Sequence, residues 1–234
     1  MSLNLIARMQ KVSCIIPAYN EGDRIQGVLS AVYNHPYVSE LIVIDDGSSD
    51  QTKDVVGRFG GVKLIVHTKN EGKSQSVVDG VEASHEETLF FLDADLIGLT
   101  PENISRLIEP IFSSRADMAI SLIKNAPWHY RKIGLNFISG QRVLYKKLLA
   151  GHLDDIRKLP GFGLEVYLNN LIIKNRYRIK VVFWENVISP WKYKKVGLWA
   201  GLKGELIMNS QILKVVSIFG ALRQIIKMLS LKVK

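Results

Sequence analysis

TLFFLDADL, residues 88–96, begins as a buried strand and ends as something else. Phe90, Phe91 and Leu92 form the short apolar run of a covered strand, and Asp93 and Asp95 follow at once. Two residues apart on an extended chain, the two acids leave on the same side. Paired carboxylates with no cation beside them in sequence repel each other, and a divalent ion relieves the repulsion. Oxygen ligands of this kind suit Mg²⁺ or Mn²⁺, above all an ion shared with substrate phosphates. Surface turns also contain D-x-D often, so the spacing is a weak signal until its surroundings are read.

Working outward, three more apolar runs precede it. KVSCIIPAYNE (11–21) reads as a buried strand running into a loop, ELIVIDDGSSD (40–50) as a second strand ending in acids, Gly and Ser, and VKLIVHT (62–68) as a third. Helical segments separate them: GDRIQGVLSAVYNH (22–35), with Ile25, Val28, Leu29 and Val32 at helical spacing, QTKDVVGRFG (51–60) and GKSQSVVDGVEAS (72–84). Strands alternating with helices predict an α/β fold with a mostly parallel sheet covered on both faces. Ligands on such sheets gather at the carboxyl ends of the strands, where the acid-rich motifs fall. The second half is less regular: a helix over 101–112 with Pro101 near its start, a strand over 116–123, a helix or strand-plus-helix over 134–151, and a late strand over 178–188.

With 47% hydrophobic and 23% charged residues in 234, the chain has enough apolar material for one sizeable core. Its one cysteine, Cys14, excludes an internal disulfide and fits a reducing, cytoplasmic setting as a small core residue. No leader pattern and no run of about 18 uncharged apolar residues is present. From residue 171 onward there are 13 Lys and Arg against two acids, Glu185 and Glu205, which leaves the first 170 residues with 18 against 20. The basic character therefore belongs to the last quarter, and an anionic surface is its natural partner. Within it, 205–234 reads as an amphipathic helix with a wide apolar face, suited to peripheral membrane contact or to packing on its own domain or a dimer partner. Nucleic acid is disfavoured, because the tail's aromatics are not interleaved with its cations.

Asp45-Asp46-Gly47-Ser48-Ser49-Asp50 offers acceptors and a flexible backbone to a base and ribose, or else caps a helix. Gly72-Lys73-Ser74 opens a helix, where free N–H groups and a lysine suit phosphate or form a cap. Neither a Walker A loop nor G-x-G-x-x-G is present. His35, His67, His85, His129 and His152 lack ligand spacing and read as structural or exposed.

VSCIIPAYNE, LIVIDDGSSD, NEGKSQSVVDG and LFFLDADL, in this order and covering 12–96, resemble the family 2 glycosyltransferases. The resemblance implies a GT-A fold, a nucleotide-diphospho-sugar-binding α/β/α sandwich over 1–204; the tail, 205–234, shows no such likeness and is a helical extension on its own amphipathic pattern. It implies that Pro17, Ala18, Tyr19 and Glu21 line a nucleoside pocket, that Asp45 or Asp46 and Gly47 meet the base, and that Lys73 approaches base or diphosphate. Asp93 then faces ribose or sugar and Asp95 holds the metal, with Asp93 a second candidate ligand. SGQR (139–142) looks like the acceptor segment of dolichyl-phosphate mannosyltransferase-like members, with Arg142 and Arg131 gripping phosphate. Trp128 in APWHYRK (126–132) is a candidate platform for sugar or acceptor, and Glu165 in GFGLE (161–165) a candidate base. The Glu-Asp pair usual at that place is missing, as is a late histidine, where Ser189 and Pro190 stand.

The expected activity is transfer of a sugar from a UDP- or GDP-linked donor to polyprenyl or dolichyl phosphate, metal-dependent and inverting. A saccharide or small hydroxyl acceptor is the rival within the class, and an inactive nucleotide-binding scaffold the rival outside it.

Overall fold

A computed structural model describes residues 10–160, 163–190 and 216–234. Its described strands form one sheet in the order β3-β2-β1-β4-β6-β5-β7. β1 (Val12–Ala18) lies at the centre of the first half, parallel to β2 (Val38–Asp45) and β4 (Thr88–Phe91), with β3 (Lys63–Val66) parallel beyond β2. The second half adds β5 (Met118–Ile123), β6 (Arg142–Tyr145) and β7 (Ile179–Trp184). β6 runs antiparallel to both β4 and β5, whereas β5 and β7 are parallel. The mostly parallel sheet predicted from sequence is therefore present, with one reversed strand inserted.

The period of two along each strand sends alternate residues into two cores. Cys14, Ile16, Val43 and Phe90 join one, packed by α1 (Gly22–Val32) and α4 (Pro101–Phe112). Ile15, Ile42, Ile44 and Phe91 join the other, under α3 (Lys73–Ala83) and α7 (Gly163–Lys174), with the short α2 (Thr52–Val56) beside α1. The four helical-spaced residues of α1 are all buried. α4 starts as its sequence demands, with Thr100 in a reciprocal cap with Asn103 and Pro101 at the first turn.

Strand four is shorter than the sequence predicts. The ladder stops at Phe91, the Leu92 amide makes one more bond to Ile15 O (3.1 Å), and Asp93 to Asp95 lie in a turn. Three elements were not separable in the sequence: α5 (Trp128–Ile133), which buries none of its residues, the five-residue α6 (Leu153–Arg157), and α7, whose apolar residues surround the helix instead of forming a stripe. Within 134–151 a strand and a 3₁₀ turn (Lys146–Leu149) form.

Of the tail, residues 205–215 lie outside the described residues. α8 (Ile218–Ser230) is capped by Ser217, which accepts the Gly220 amide. It packs on α7: Gln224 Nε2 donates to Val166 O (3.0 Å) and Asn170 Oδ1 (2.7 Å), and Met228 is buried. Phe219, Leu222 and Ile226 face outward.

α3 can lie close to the sheet because Gly80 has no side chain. A Cβ there would sit 2.4 Å from Ile15 Cγ2 and 2.9 Å from Ile44 Cδ1, both core atoms. Gly80→Val is expected to lower the unfolding free energy by about 1–3 kcal/mol through overpacking. The measurement is the urea midpoint at unchanged slope; a midpoint equal to the parent's would contradict the tight contact.

Candidate functional site

A cleft of about 470 Å³ opens over the carboxyl ends of β1 and β4 and the loop after β2. Its first wall is Pro17, Ala18, Tyr19 and Glu21, as expected from sequence. Backbone groups two residues apart in a strand turn to the same side, so Pro17 faces the way Ile15 does, toward β4. β4 has ended by then. Proline, with no N–H to leave unpaired, suits the position.

The loop after β2 divides the roles of its two acids. Asp46 reaches the cleft wall, but its carboxylate is a backbone clamp: Oδ1 accepts the Glu71 amide (2.8 Å) and Oδ2 the Gly72 amide (2.9 Å), with His67 Nδ1 also on Oδ1 (2.8 Å). Asp45 and Gly47 do not line the cleft, which corrects their placement as base contacts. Asp45 is buried and accepts the Ser48 amide (2.9 Å). Gly47, at φ +73°, leaves no space for a Cβ, which would lie 2.5 Å from the Lys69 backbone.

Lys73, in the first turn of α3, reaches across the floor. Nζ donates to Asp93 Oδ1 (2.8 Å) and to Glu165 Oε1 (2.9 Å). Burial alone would lower this ammonium, but the charges of Asp93 and Glu165 outweigh it and raise it above the ordinary lysine value. Asp93 also accepts from Gln141 Nε2. The 140 backbone presses on the same carboxylate so closely that a Cβ on Gly140 would lie 2.5 Å from Asp93 Oδ1. Asp93 lines the cleft with both carboxylate oxygens engaged, Oδ1 by Lys73 and Oδ2 by Gln141, which leaves it less suited than Asp95 to hold a metal.

Asp95 lines the same cleft, and its Oδ2 accepts from Ser189 Oγ (3.2 Å). No group of three or more His, Cys, Asp or Glu converges as a metal cage among the described residues. A hard cation at Asp95 would therefore draw its remaining oxygens from a bound diphosphate and water, which is how Mg²⁺-type sites with few carboxylates are built. The residues fit such an ion.

Two further expectations are corrected by burial. Glu165 is 2% exposed and stands behind Lys73, off the cleft. Its Oε2 has no partner among the described residues, and the residue lines a cavity of about 10 Å³ shared with Lys73, Asp93 and Arg142. A base must reach its proton, and this carboxylate does not face the cleft. Gly161 and Phe162 of the same motif lie outside the described residues.

Arg142 is 1% exposed and points inward. Nε donates to Ser139 O (2.7 Å), one terminal nitrogen to Phe137 O (2.7 Å) and the other to Asn169 Oδ1 (2.8 Å), so the fork that was expected to grip phosphate holds the 137–139 loop instead. Burial draws its guanidinium down to about 10, against the pull of Glu165 and Asp93, and it keeps its charge at neutral pH. Arg131 is exposed on α5, as is Trp128 (74%), and neither lines the cleft. Tyr130 packs edge-on against Phe137 with ring centroids 5.7 Å apart.

The structure adds Asn70, Asn136, Ser139 and Gln141 to the lining. Gln141 lay inside SGQR, whose signal was assigned to its arginine alone.

The family model for glycosyl transferase family 2 matches residues 13–160. Among curated proteins, the dolichol-phosphate mannosyltransferase of Pyrococcus furiosus is 30% identical over 200 residues, covering 80% of this chain and 54% of that protein. The dodecaprenyl-phosphate galacturonate synthase of Rhizobium johnstonii is 27% identical over 173 residues, covering 69% and 49%. The chain thus spans about half the length of these two relatives. Among solved structures, glucosyl-3-phosphoglycerate synthase from Mycobacterium tuberculosis, crystallised with Mn²⁺, UDP and phosphoglyceric acid, superposes with a TM-score of 0.69 at 20% identity, over 92% of this chain and 78% of that one. That likeness establishes the GT-A type of fold, and the family match, spanning β1 through α6, places this chain in glycosyl transferase family 2.

Proposed function

We propose that the chain transfers a sugar from a nucleotide-diphosphate donor to an ionised polyprenyl phosphate. The observation that carries this reading is the convergence of Asp93 and Asp95 on the cleft with Pro17, Tyr19, Glu21 and Lys73, where Lys73 holds Asp93 and Ser189 donates to Asp95. In the transfer, an acceptor oxygen forms a bond to the anomeric carbon as the bond to the diphosphate breaks, and that electron pair leaves on the nucleotide. A Mg²⁺ or Mn²⁺ ion held by Asp95 would stabilise the charge developing there. Pro17 to Tyr19 and Glu21 flank the nucleoside, Asp46 fixes the 71–72 backbone beneath it, and Lys73 sets the carboxylate of Asp93 toward ribose or sugar.

The acceptor assignment has two supports. The Pyrococcus and Rhizobium relatives bear names of polyprenyl-phosphate enzymes. A phosphate acceptor is already ionised and needs no strong base, which agrees with Glu165 being bound to Lys73. The exposed Phe219, Leu222 and Ile226 of α8 lie at i, i+3 and i+7, with Arg223 and Lys227 between and after them. Lys232 donates to Gly134 O (3.1 Å), tying the end of the tail to α5. This apolar and basic surface is proposed to rest on an anionic membrane; no described helix is long and apolar enough to cross one.

Incubation with UDP- and GDP-sugars, Mn²⁺, and either dolichyl phosphate or a panel of saccharides and phosphorylated hydroxyl acceptors tests the reading. Product on the lipid phosphate is expected; product on hydroxyl acceptors alone removes the lipid assignment, and nucleotide binding without turnover supports a scaffold. Asp95→Asn is expected to lower Mn²⁺-dependent turnover by about 10²–10³-fold, in the range of other transition-state charge contacts, with an unaltered circular dichroism spectrum. Turnover within twofold of the parent's would remove the metal role.

Lys73→Met leaves Asp93 and Glu165 without their shared cation, and a loss of about 3 kcal/mol is expected, the low end for a broken buried pair because the lysine keeps some solvent access. Adding Glu165→Gln should recover part of it; strictly additive losses in denaturant titrations would deny the coupling. For the membrane surface, replacing Phe219, Leu222 and Ile226 together by Ser should abolish co-sedimentation with phosphatidylglycerol vesicles, and undiminished binding would place the contact elsewhere.

A further inference from the structure

His67 lies just past β3, behind the cleft wall, with its side chain 9% exposed. Nδ1 is 2.8 Å from Asp46 Oδ1 and Nε2 is 2.9 Å from Asp79 Oδ2. A neutral imidazole has one N–H, so in this arrangement it would aim a lone pair at one of the two carboxylates. Only the imidazolium donates to both.

The surrounding charges favour it. Asp46 faces the ring from the end of β2 and Asp79 from α3. Behind Asp79 stand Gln75 of the same helix and Arg157 of α6, whose other terminal nitrogen donates to Glu82. Lys69 and Glu71 of the ring's own loop are exposed. Burial would lower the imidazolium, but Asp46 and Asp79 outweigh it, and the group is raised above its ordinary value of 6.5.

We propose that the His67 imidazolium is a positioning residue for the nucleotide pocket, tying Asp46 to Asp79 so that Asp46 holds the 71–72 backbone and aims Lys73. The chain of contacts runs from His67 to Asp46, to the amides of Glu71 and Gly72, and so to the start of α3, where Lys73 reaches Asp93 and Glu165. Because the group is raised, its contribution is complete below pH 6.5 and is lost as pH rises through the raised value. Nucleotide affinity should follow that loss, since only the tied loop is competent to bind. The pocket half of this proposal rests on the function proposed above; the protonation half does not.

Two measurements on the whole chain decide it. Long-range ¹H–¹⁵N correlation spectra should show both His67 nitrogens at imidazolium shifts at pH 7; a neutral tautomer there overturns the proposal. Calorimetric titration with UDP and with GDP, each with Mn²⁺, from pH 6 to pH 9 should show parent affinity weakening about tenfold per pH unit above the His67 transition. His67→Gln should bind more weakly with no such dependence. Asp79→Asn, which keeps the shape and removes one counter-charge, should move the transition to lower pH. A His67→Gln or Asp79→Asn profile that coincides with the parent's overturns the role of His67 alone. Failure of both nucleotides to bind the parent at every pH removes the nucleotide-site reading, and the pocket role of His67 with it.

Discussion

The cleft depends on one ammonium group. Lys73 Nζ joins three elements distant in sequence: the first turn of α3, the turn after β4 and the first turn of α7. Two carboxylates this close to each other in a partly closed space would repel, and a single cation between them turns repulsion into a joint. Arg142 adds a second positive charge from behind, so the cluster of Lys73, Arg142, Asp93 and Glu165 is neutral as a whole. The shared cation ties the floor together, and Asp93 and Asp95 both line the open space above it.

This division of labour follows from where β4 stops. Had the strand continued to Leu96, Asp93 and Asp95 would have shared one face and competed for the same ligand. In the turn that replaces it, Asp93 drops toward Lys73 and Gln141, and Asp95 stays toward Ser189 at the far rim. The reversed strand β6 completes the arrangement: running antiparallel to β4, it begins at the cleft and delivers Ser139, Gly140 and Gln141 there from the opposite direction.

The first half of the chain was legible because its signals are local. The continuous apolar runs of β1 and β2, the helical spacing in α1 and Pro101 at the start of α4 each act within a few residues, and the motifs at the strand ends mark the mouth of a parallel sheet. What could not be read depends on which partners the folded chain supplies. Arg142 sits in a motif suited to phosphate, yet the carbonyls of Phe137 and Ser139 and the amide of Asn169 take its donors. Glu165 looks like a base until the lysine 92 positions earlier claims it. Asp46 lines the cleft and also fastens the loop of Glu71 and Gly72, a second task its motif does not announce. For Arg142 and Glu165 the residue type fixes what the group can do, and the tertiary fold selects with whom.

The early end of β4 has a consequence for how the molecule keeps to itself. A sheet interior ordinarily offers no exposed rim, but here the last residues of β1 run on beside a missing neighbour and make a short edge in the middle of the sheet. Such an edge invites pairing with any extended segment that enters. Pro17 blunts it, since a residue without an amide hydrogen cannot seed a ladder. The gap left where the strand ends, which opens into the cleft, is thereby kept from templating an added β-strand.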